Sequence, residues 1–327
     1  MDADPTHEPR PGRHPVTIHR LAPGLIALAL LGCKPVADPE VESPFRLAAT
    51  AESSRLDEIS GLAASTRDPG LLWTHNDDGA PRVHALGTDG SDRGYFDIRD
   101  AVNVDWEDMT RIPGESGDLL VLADIGDNDA RRTNVWLYLV PEPEPGSDGR
   151  FSGEVDPLNW ISITYPDGPR DAESIAWDPI QNRLLILSKR DKPARLYALD
   201  GDVALNEREA TLVFLGEVTT LREPTLSDQA IFGKRTAWIS QPTALSISPD
   251  GQRAAVLTYR SVYLYDLPTN GDWSTGLESE PLEIIGPARI TEEAIVFKAD
   301  GSGLWISAEG DAPPLFEYLL EDPESPD

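Results

Sequence analysis

Four glutamates stand at the heads of similar short segments. They are Glu58 in Glu58-Ile59-Ser60-Gly61-Leu62, Glu107 in Glu107-Asp108-Met109-Thr110, Glu173 in Glu173-Ser174-Ile175-Ala176-Trp177 and Glu293 in Glu293-Ala294-Ile295-Val296-Phe297. A fifth segment, Thr243-Ala244-Leu245-Ser246-Ile247, has threonine at that place. Downstream of each lies a second polar cluster: His75-Asn76-Asp77-Asp78-Gly79, Asp124-Ile125-Gly126-Asp127-Asn128, Ser188-Lys189-Arg190-Asp191, Thr258-Tyr259-Arg260 and Ala308-Glu309-Gly310-Asp311. Brought to one place, these carboxylates and amide oxygens suit a hard cation. Calcium is expected over zinc, because the donors are oxygens and a single histidine, His75, stands among them. The expected metal ligands are Glu58, Asp105, Glu107, Asp124, Asp127, Glu173 and Glu293. Like charges held together should raise one another's pKa values. The basic members Lys189, Arg190 and Arg260 either hold an anionic group beside the cation or pair with the glutamates. Asn76 and Asn128 are further ligand contacts, and Trp106, beside Glu107, is the aromatic expected to stack on a ligand. In a catalytic reading, Glu107 or His75 is the general base. The competing reading is that the acids cap turns by accepting backbone N–H bonds, and it is preferred for Asp78-Gly79 and Asp300-Gly301. The loop from Asp124 to Asp129 is similar to a calcium loop but lacks the EF-hand spacing and closing glutamate.

These residues need elements to position them. From residue 45 onward, short β-branched and aromatic runs alternate with Gly, Pro, Asp and Asn clusters, the signature of strands and turns. Each head segment is followed by an apolar strand (71–73, 119–123, 184–187, 254–257 and 304–306) and then by a third (83–86, 135–140, 195–199, 262–267 and 315–319). The heads are spaced 49, 66, 70 and 50 residues apart. A four-stranded propeller blade takes about 40–50 residues, so the two long intervals require loops, placed at 141–154 and 221–241. Only 34 residues follow Glu293, room for three strands. A strand at 45–51 would complete the last blade and remove its open edge. The expected fold is therefore all-β, a five-bladed β-propeller over 45–320 closed by its N-terminal strand. Six blades, or a β-sandwich with incidental repeats, are the alternatives. Neighbouring strands run antiparallel, so the head of each first strand and the end of each second strand share one mouth of the channel.

The chain of 327 residues carries 57 Asp and Glu against 28 Lys and Arg, a net charge of −29. Such a surface repels phosphate backbones and argues against nucleic acid as a partner. One cysteine excludes an intrachain disulfide framework and a Cys-rich zinc site. Arg10, Arg13 and Arg20 precede an apolar run at 21–31, which ends in Leu30-Leu31-Gly32-Cys33. A basic region, a short apolar stretch and small residues before a cut make a secretory signal. Leu-Leu-Gly-Cys resembles the bacterial lipobox, which implies lipidation of Cys33. The run is too short for a mature membrane span. Residues 1–33 are thus read as a lipoprotein signal peptide, 34–44 as an acidic Pro-rich tether and 321–327 as an acidic tail. The protein is expected in the bacterial cell envelope, at the outer membrane or cell surface, a monomer held to the membrane through its lipid alone. There is no Gly-x-Ser-x-Gly elbow, His-Glu-x-x-His motif or P-loop.

Several elements together resemble a family of secreted bacterial β-propeller lipoproteins. They are Glu58-Ile59-Ser60-Gly61-Leu62-Ala63, Leu72-Trp73-Thr74-His75-Asn76-Asp77, Asn103-Val104-Asp105-Trp106-Glu107-Asp108 and Asp124-Ile125-Gly126-Asp127-Asn128, with Ser248-Pro249-Asp250-Gly251, Thr258-Tyr259-Arg260, Glu293-Ala294-Ile295 and Ala308-Glu309-Gly310 later in the chain. Asp78 departs from the pattern, which has a small residue there. The family is distantly similar to phytase-like and calcium-dependent lactonase propellers, and the resemblance implies Ca²⁺ at the channel mouth. That is a fold-level analogy for the chemistry. Three functions follow as expectations: a propeller that binds a small molecule or an envelope protein at its acidic mouth with a divalent cation; a calcium-dependent hydrolase of a phosphoester or lactone; and a structural member of an envelope assembly.

Overall fold

The computed structural model describes residues 44–287 and 291–320. Cys33, the signal segment, the tether up to 43 and the tail at 321–327 lie outside the described residues. Within them the chain forms a five-bladed β-propeller. From the axis outward, the first blade is Ile59–Ala64, Leu71–Asn76, Arg82–Gly87 and Asp92–Ile98. The second is Trp106–Ile112, Leu119–Asp124, Val135–Pro141 and Asn159–Thr164. The third is Ala172–Asp178, Arg183–Ser188, Ala194–Asp200 and Val213–Val218, and the fourth Pro242–Ile247, Arg253–Thr258, Ser261–Asp266 and Leu282–Ile285. The fifth takes three strands from the end of the chain (Glu292–Phe297, Gly303–Ala308 and Pro314–Leu319) and its outer strand from the start, Arg46–Thr50. That strand pairs antiparallel with Pro314–Leu319, so the ring closes as the residue count after Glu293 requires.

The core lies between blades, as five apolar layers rather than one centre. Successive residues of an inner strand serve opposite neighbours: Ile175 packs toward the second blade and Ala176 toward the fourth, as the two-residue period of a strand requires. Both faces are covered, so the strands read as continuous apolar runs rather than alternating ones. The turns at the far ends of the inner strands use aspartate as expected. Asp250 Oδ1 accepts from Gln252 N and Ser248 Oγ, and Asp300 Oδ1 from Ser302 N and Oγ. The following Gly251 and Gly301 sit at φ of 73° and 74°, conformations closed to most side chains.

The two long intervals hold more than loops. Within the second blade, Glu154–Val155 crosses back and pairs parallel with the outer strand of the first blade. Within the third, Glu209–Thr211 does the same to the second blade, after a short helix at Gly201–Asn206. Each crossing covers an edge that would otherwise expose unpaired backbone. Between the third and fourth blades an insertion carries the helix Leu226–Phe232 and the 3₁₀ turn Gly233–Ala237.

Candidate metal and ligand site at the channel mouth

The first two strands of every blade share an irregularity at the same end. Their register slips by one residue, leaving Ser60, Glu107, Glu173, Thr243 and Glu293 unpaired on the inner strands. A bulge of this kind turns a side chain out of the ladder. It also corrects the repeat. Ser60, not Glu58, is the counterpart of the other heads; Glu58 stands two residues earlier, level with Asp105, Asp171, Gln241 and Thr291. The two hydroxyl residues at the bulge tie inner strands together: Ser60 Oγ donates to the Glu107 carbonyl at 2.5 Å and Thr243 Oγ1 to the Glu292 carbonyl at 3.0 Å. The three glutamates instead line a cavity of about 290 Å³.

That cavity is walled by six carboxylates (Asp77, Asp105, Glu107, Glu173, Glu293 and Glu309), two cations (Lys189 and Arg190), and Ser60, Asn128, Trp238, Gln241 and Tyr259. Glu107, Asp171 and Glu173 are all buried, and each offers an oxygen within 4.8 Å of the others. Lys189 Nζ donates to Glu173 Oε1 and, at 2.9 Å, to the Tyr259 hydroxyl, which donates to Glu293 Oε1 at 2.7 Å. Arg190 binds Asp171 Oδ2 through Nε and Asn128 Oδ1 through Nη2. Glu173 Oε2 is buried without a hydrogen-bond partner among the described residues.

Burial sets the electrostatics here. It raises Glu107 well above the usual carboxylate range, helped by the charges of Glu173 and Asp105. It raises Glu173 likewise, against the pull of Lys189. Burial takes Glu293 up to about 7, again against Lys189, and Asp77 to about 6, with Glu309 adding to it. Burial opposes the charge of Lys189, but Glu173 and Glu293 outweigh it and keep the ammonium protonated. Nearer the rim, Glu58 is raised to about 7, first by Asp77 and then by burial. Glu58, Asp77 and Asp78 form a second group whose oxygens approach within 4.8 Å.

Other expected site residues lie elsewhere. His75 and Trp106 are fully buried. The Trp106 indole belongs to the layer between the first two blades and donates to the Val102 carbonyl at 3.1 Å, so it faces no ligand space. His75 meets it edge-on, ring centroids 5.5 Å apart, and burial lowers its pKa to about 4. Its place in the interior follows from the register: His75 pairs with Gly61, where even a Cβ would strike its Nε2. Asp124 is fully buried and paired to Arg132 at 2.7 Å, and Asp127 Oδ2 accepts from the Arg132 N–H. Both brace the loop behind the mouth. Asn76 Nδ2 holds the Arg55 carbonyl and Asp57. Arg260 turns to Asp228 at 3.1 Å and Glu283 at 3.1 Å, fastening the insertion to the fourth blade.

Asp77, Tyr259 and Glu309 reach the mouth with their clusters, though not among the expected ligands, and Asp171, Trp238 and Gln241 stand there outside the expected clusters. Asp171 had a legible signal. Asp105-Trp106-Glu107 and Asp171-Ala172-Glu173 repeat one Asp-x-Glu pattern, and Asp171 holds the Asp127 N–H at 2.9 Å. Gly126 takes the place that Asp77, Lys189 and Glu309 take in other blades, each N–H donating to the carbonyl two residues before the bulge. A Cβ on Gly126 would fall inside contact distance of Glu107 Oε1 and Asp105 Oδ2. Comparison of the sequence with family models and with curated proteins gives no match.

Proposed function

We propose that this propeller is a lipid-anchored protein of the bacterial cell envelope that holds a divalent cation, calcium first among them, at its acidic mouth and there binds an oxygen-bearing ligand or a protein partner. One observation carries the reading: three buried carboxylates, Glu107, Asp171 and Glu173, converge within 4.8 Å, with Glu173 Oε2 unpartnered among the described residues. Lys189 and Arg190 offset two of these carboxylates, and the remaining buried charge is costly unless a proton or a cation offsets it. The donors are all oxygens, which suits calcium or magnesium and not zinc. Lys189 and Arg190 pair with Glu173 and Asp171, and among the described residues no basic side chain forms a salt bridge with Glu107. A bound cation would supply open positions for ligand oxygens. The anchor rests on Leu30-Leu31-Gly32-Cys33.

A hydrolase of phosphoesters or lactones is the second reading. Glu107 favours it: a buried carboxyl with a raised pKa within the cluster is suited to carry a proton in acid–base chemistry. With His75 shut in the interior, that work would fall to Glu107 alone.

The test is calorimetry of the full-length protein with chelator and with calcium, beside metal analysis of the purified material. Calcium is expected to raise the melting temperature of the wild type. Glu107→Gln should remove that shift while raising the melting temperature in chelator, because one repelling buried charge is gone. No calcium shift and no copurifying metal would overturn the cation reading. A panel of phosphoesters and lactones, with Glu107→Gln as control, separates enzyme from binding protein.

A further inference from the structure

The insertion between the third and fourth blades places Trp238 over the mouth. Its helix is closed by a capping box between Thr225 and Asp228, and Asp228 is held by Arg222 and Arg260. Trp238 remains 51% exposed although it lines the acidic cavity. It also lines a second cavity of about 180 Å³, with Arg235, Ile239 and Thr291. The two cavities share Trp238, Tyr259, Glu293 and Glu309, so the indole stands where one space passes into the other.

We infer that these joined cavities bind a saccharide, one sugar ring stacked on Trp238 and its hydroxyls donating to Glu293 and Glu309. A half-exposed indole beside polar walls presents an apolar face to a ring whose edges are polar. The walls supply acceptors in excess, which suits a ligand rich in hydroxyl donors. A bound divalent ion would repel an ammonium group and accept hydroxyl oxygens, which favours a neutral polyol over an amine, and this step rests on the cation reading above. Vicinal hydroxyls also chelate hard cations.

The experiment titrates full-length protein with cello-, xylo-, chito- and manno-oligosaccharides in calcium and in chelator, with spermine as a cationic probe. At least one oligosaccharide is expected to bind. Trp238→Ala should weaken it about tenfold, the loss of one stacking contact, and leave the calcium-induced melting shift unchanged. Trp238→Tyr, which keeps a ring, should retain most of the affinity. Binding unaffected by Trp238→Ala overturns the inference. So does a mouth that takes spermine and no saccharide, or one that takes neither. Trp238-dependent saccharide binding without any calcium shift would sustain the inference while the cation reading fell.

Discussion

At the bulge the five blades carry Ser60, Glu107, Glu173, Thr243 and Glu293, and the two kinds of side chain do different work. The hydroxyls are short and close onto the neighbouring backbone; the glutamates are long and enter the cavity. Room for Glu107 depends on Gly126. In Gly126→Ala the added methyl would meet the flexible ends of Glu107 and Asp105, which can swing aside cheaply. The expected outcome is a melting temperature in chelator within about 3 °C of wild type and a lost calcium shift; a retained shift would place the cation elsewhere. Proton linkage gives a second check, at Glu293, raised from 4.5 to about 7 by burial. A carboxyl whose pKa is higher folded than unfolded stabilises the fold fully below the unfolded value, and that contribution is lost as pH rises through the folded value. His75 and His84, lowered by burial to about 4, run the opposite way below about pH 6.5, so a variant difference isolates the glutamate. In chelator, Glu293→Gln should gain stability over wild type as pH rises from about 4.5 to about 7, by about 2–3 kcal/mol at the top. A gap independent of pH, read by calorimetry, contradicts this.

Among the elements, the N-terminal strand has the clearest test. Phe45 is buried in the layer between the fourth and fifth blades, its ring centroid 5.2 Å from that of Tyr318 and tilted by 42°; Ala51 is buried between the fifth and first. Arg46–Thr50 supplies the outer ladder of the fifth blade. Deleting 45–51 removes an aromatic worth about 3–5 kcal/mol and uncovers an edge. With 1 kcal/mol worth about 2–4 °C in a domain of this size, the melting temperature should fall by about 10–20 °C, with a rise in aggregation. An unchanged melting curve would mean that closure contributes nothing.

For the whole molecule, a net charge of −29 sets the mouth in a field that gathers cations. Exposed charges are screened beyond about 10 Å at 0.1 M salt, so for the proposed cation the buried cluster, not the surface, would decide affinity at physiological ionic strength. In the lipid-anchor proposal, Cys33 governs where the molecule resides. Cys33→Ser should lose metabolic lipid labelling and move from the membrane to the soluble fraction on cell fractionation. Membrane partition that survives the substitution would remove the lipid-anchor proposal.

Blade number was legible because it depends on counting. Asp-Gly turns, apolar runs of strand length and the 34 residues after Glu293 leave room for five blades closed by the first strand. That Glu107, Glu173 and Glu293 share one mouth followed from antiparallel pairing alone. The place of Glu58 did not. It stands two residues before Ser60, and a shift of two returns a strand side chain to the same face, so no pattern of apolar residues separates the two alignments. The one-residue slip at each bulge settles it, and that slip is a property of paired backbones. His75 and Trp106 were drawn to the mouth by their neighbours in sequence, yet packing between the first two blades buries them. Trp238 belongs to no repeat and reaches the mouth because Arg222 and Arg260 fasten the insertion there. Repetition along the chain specifies what recurs in every blade; burial, bulges and inserted segments depend on what each residue meets in space, and only the folded molecule decides that.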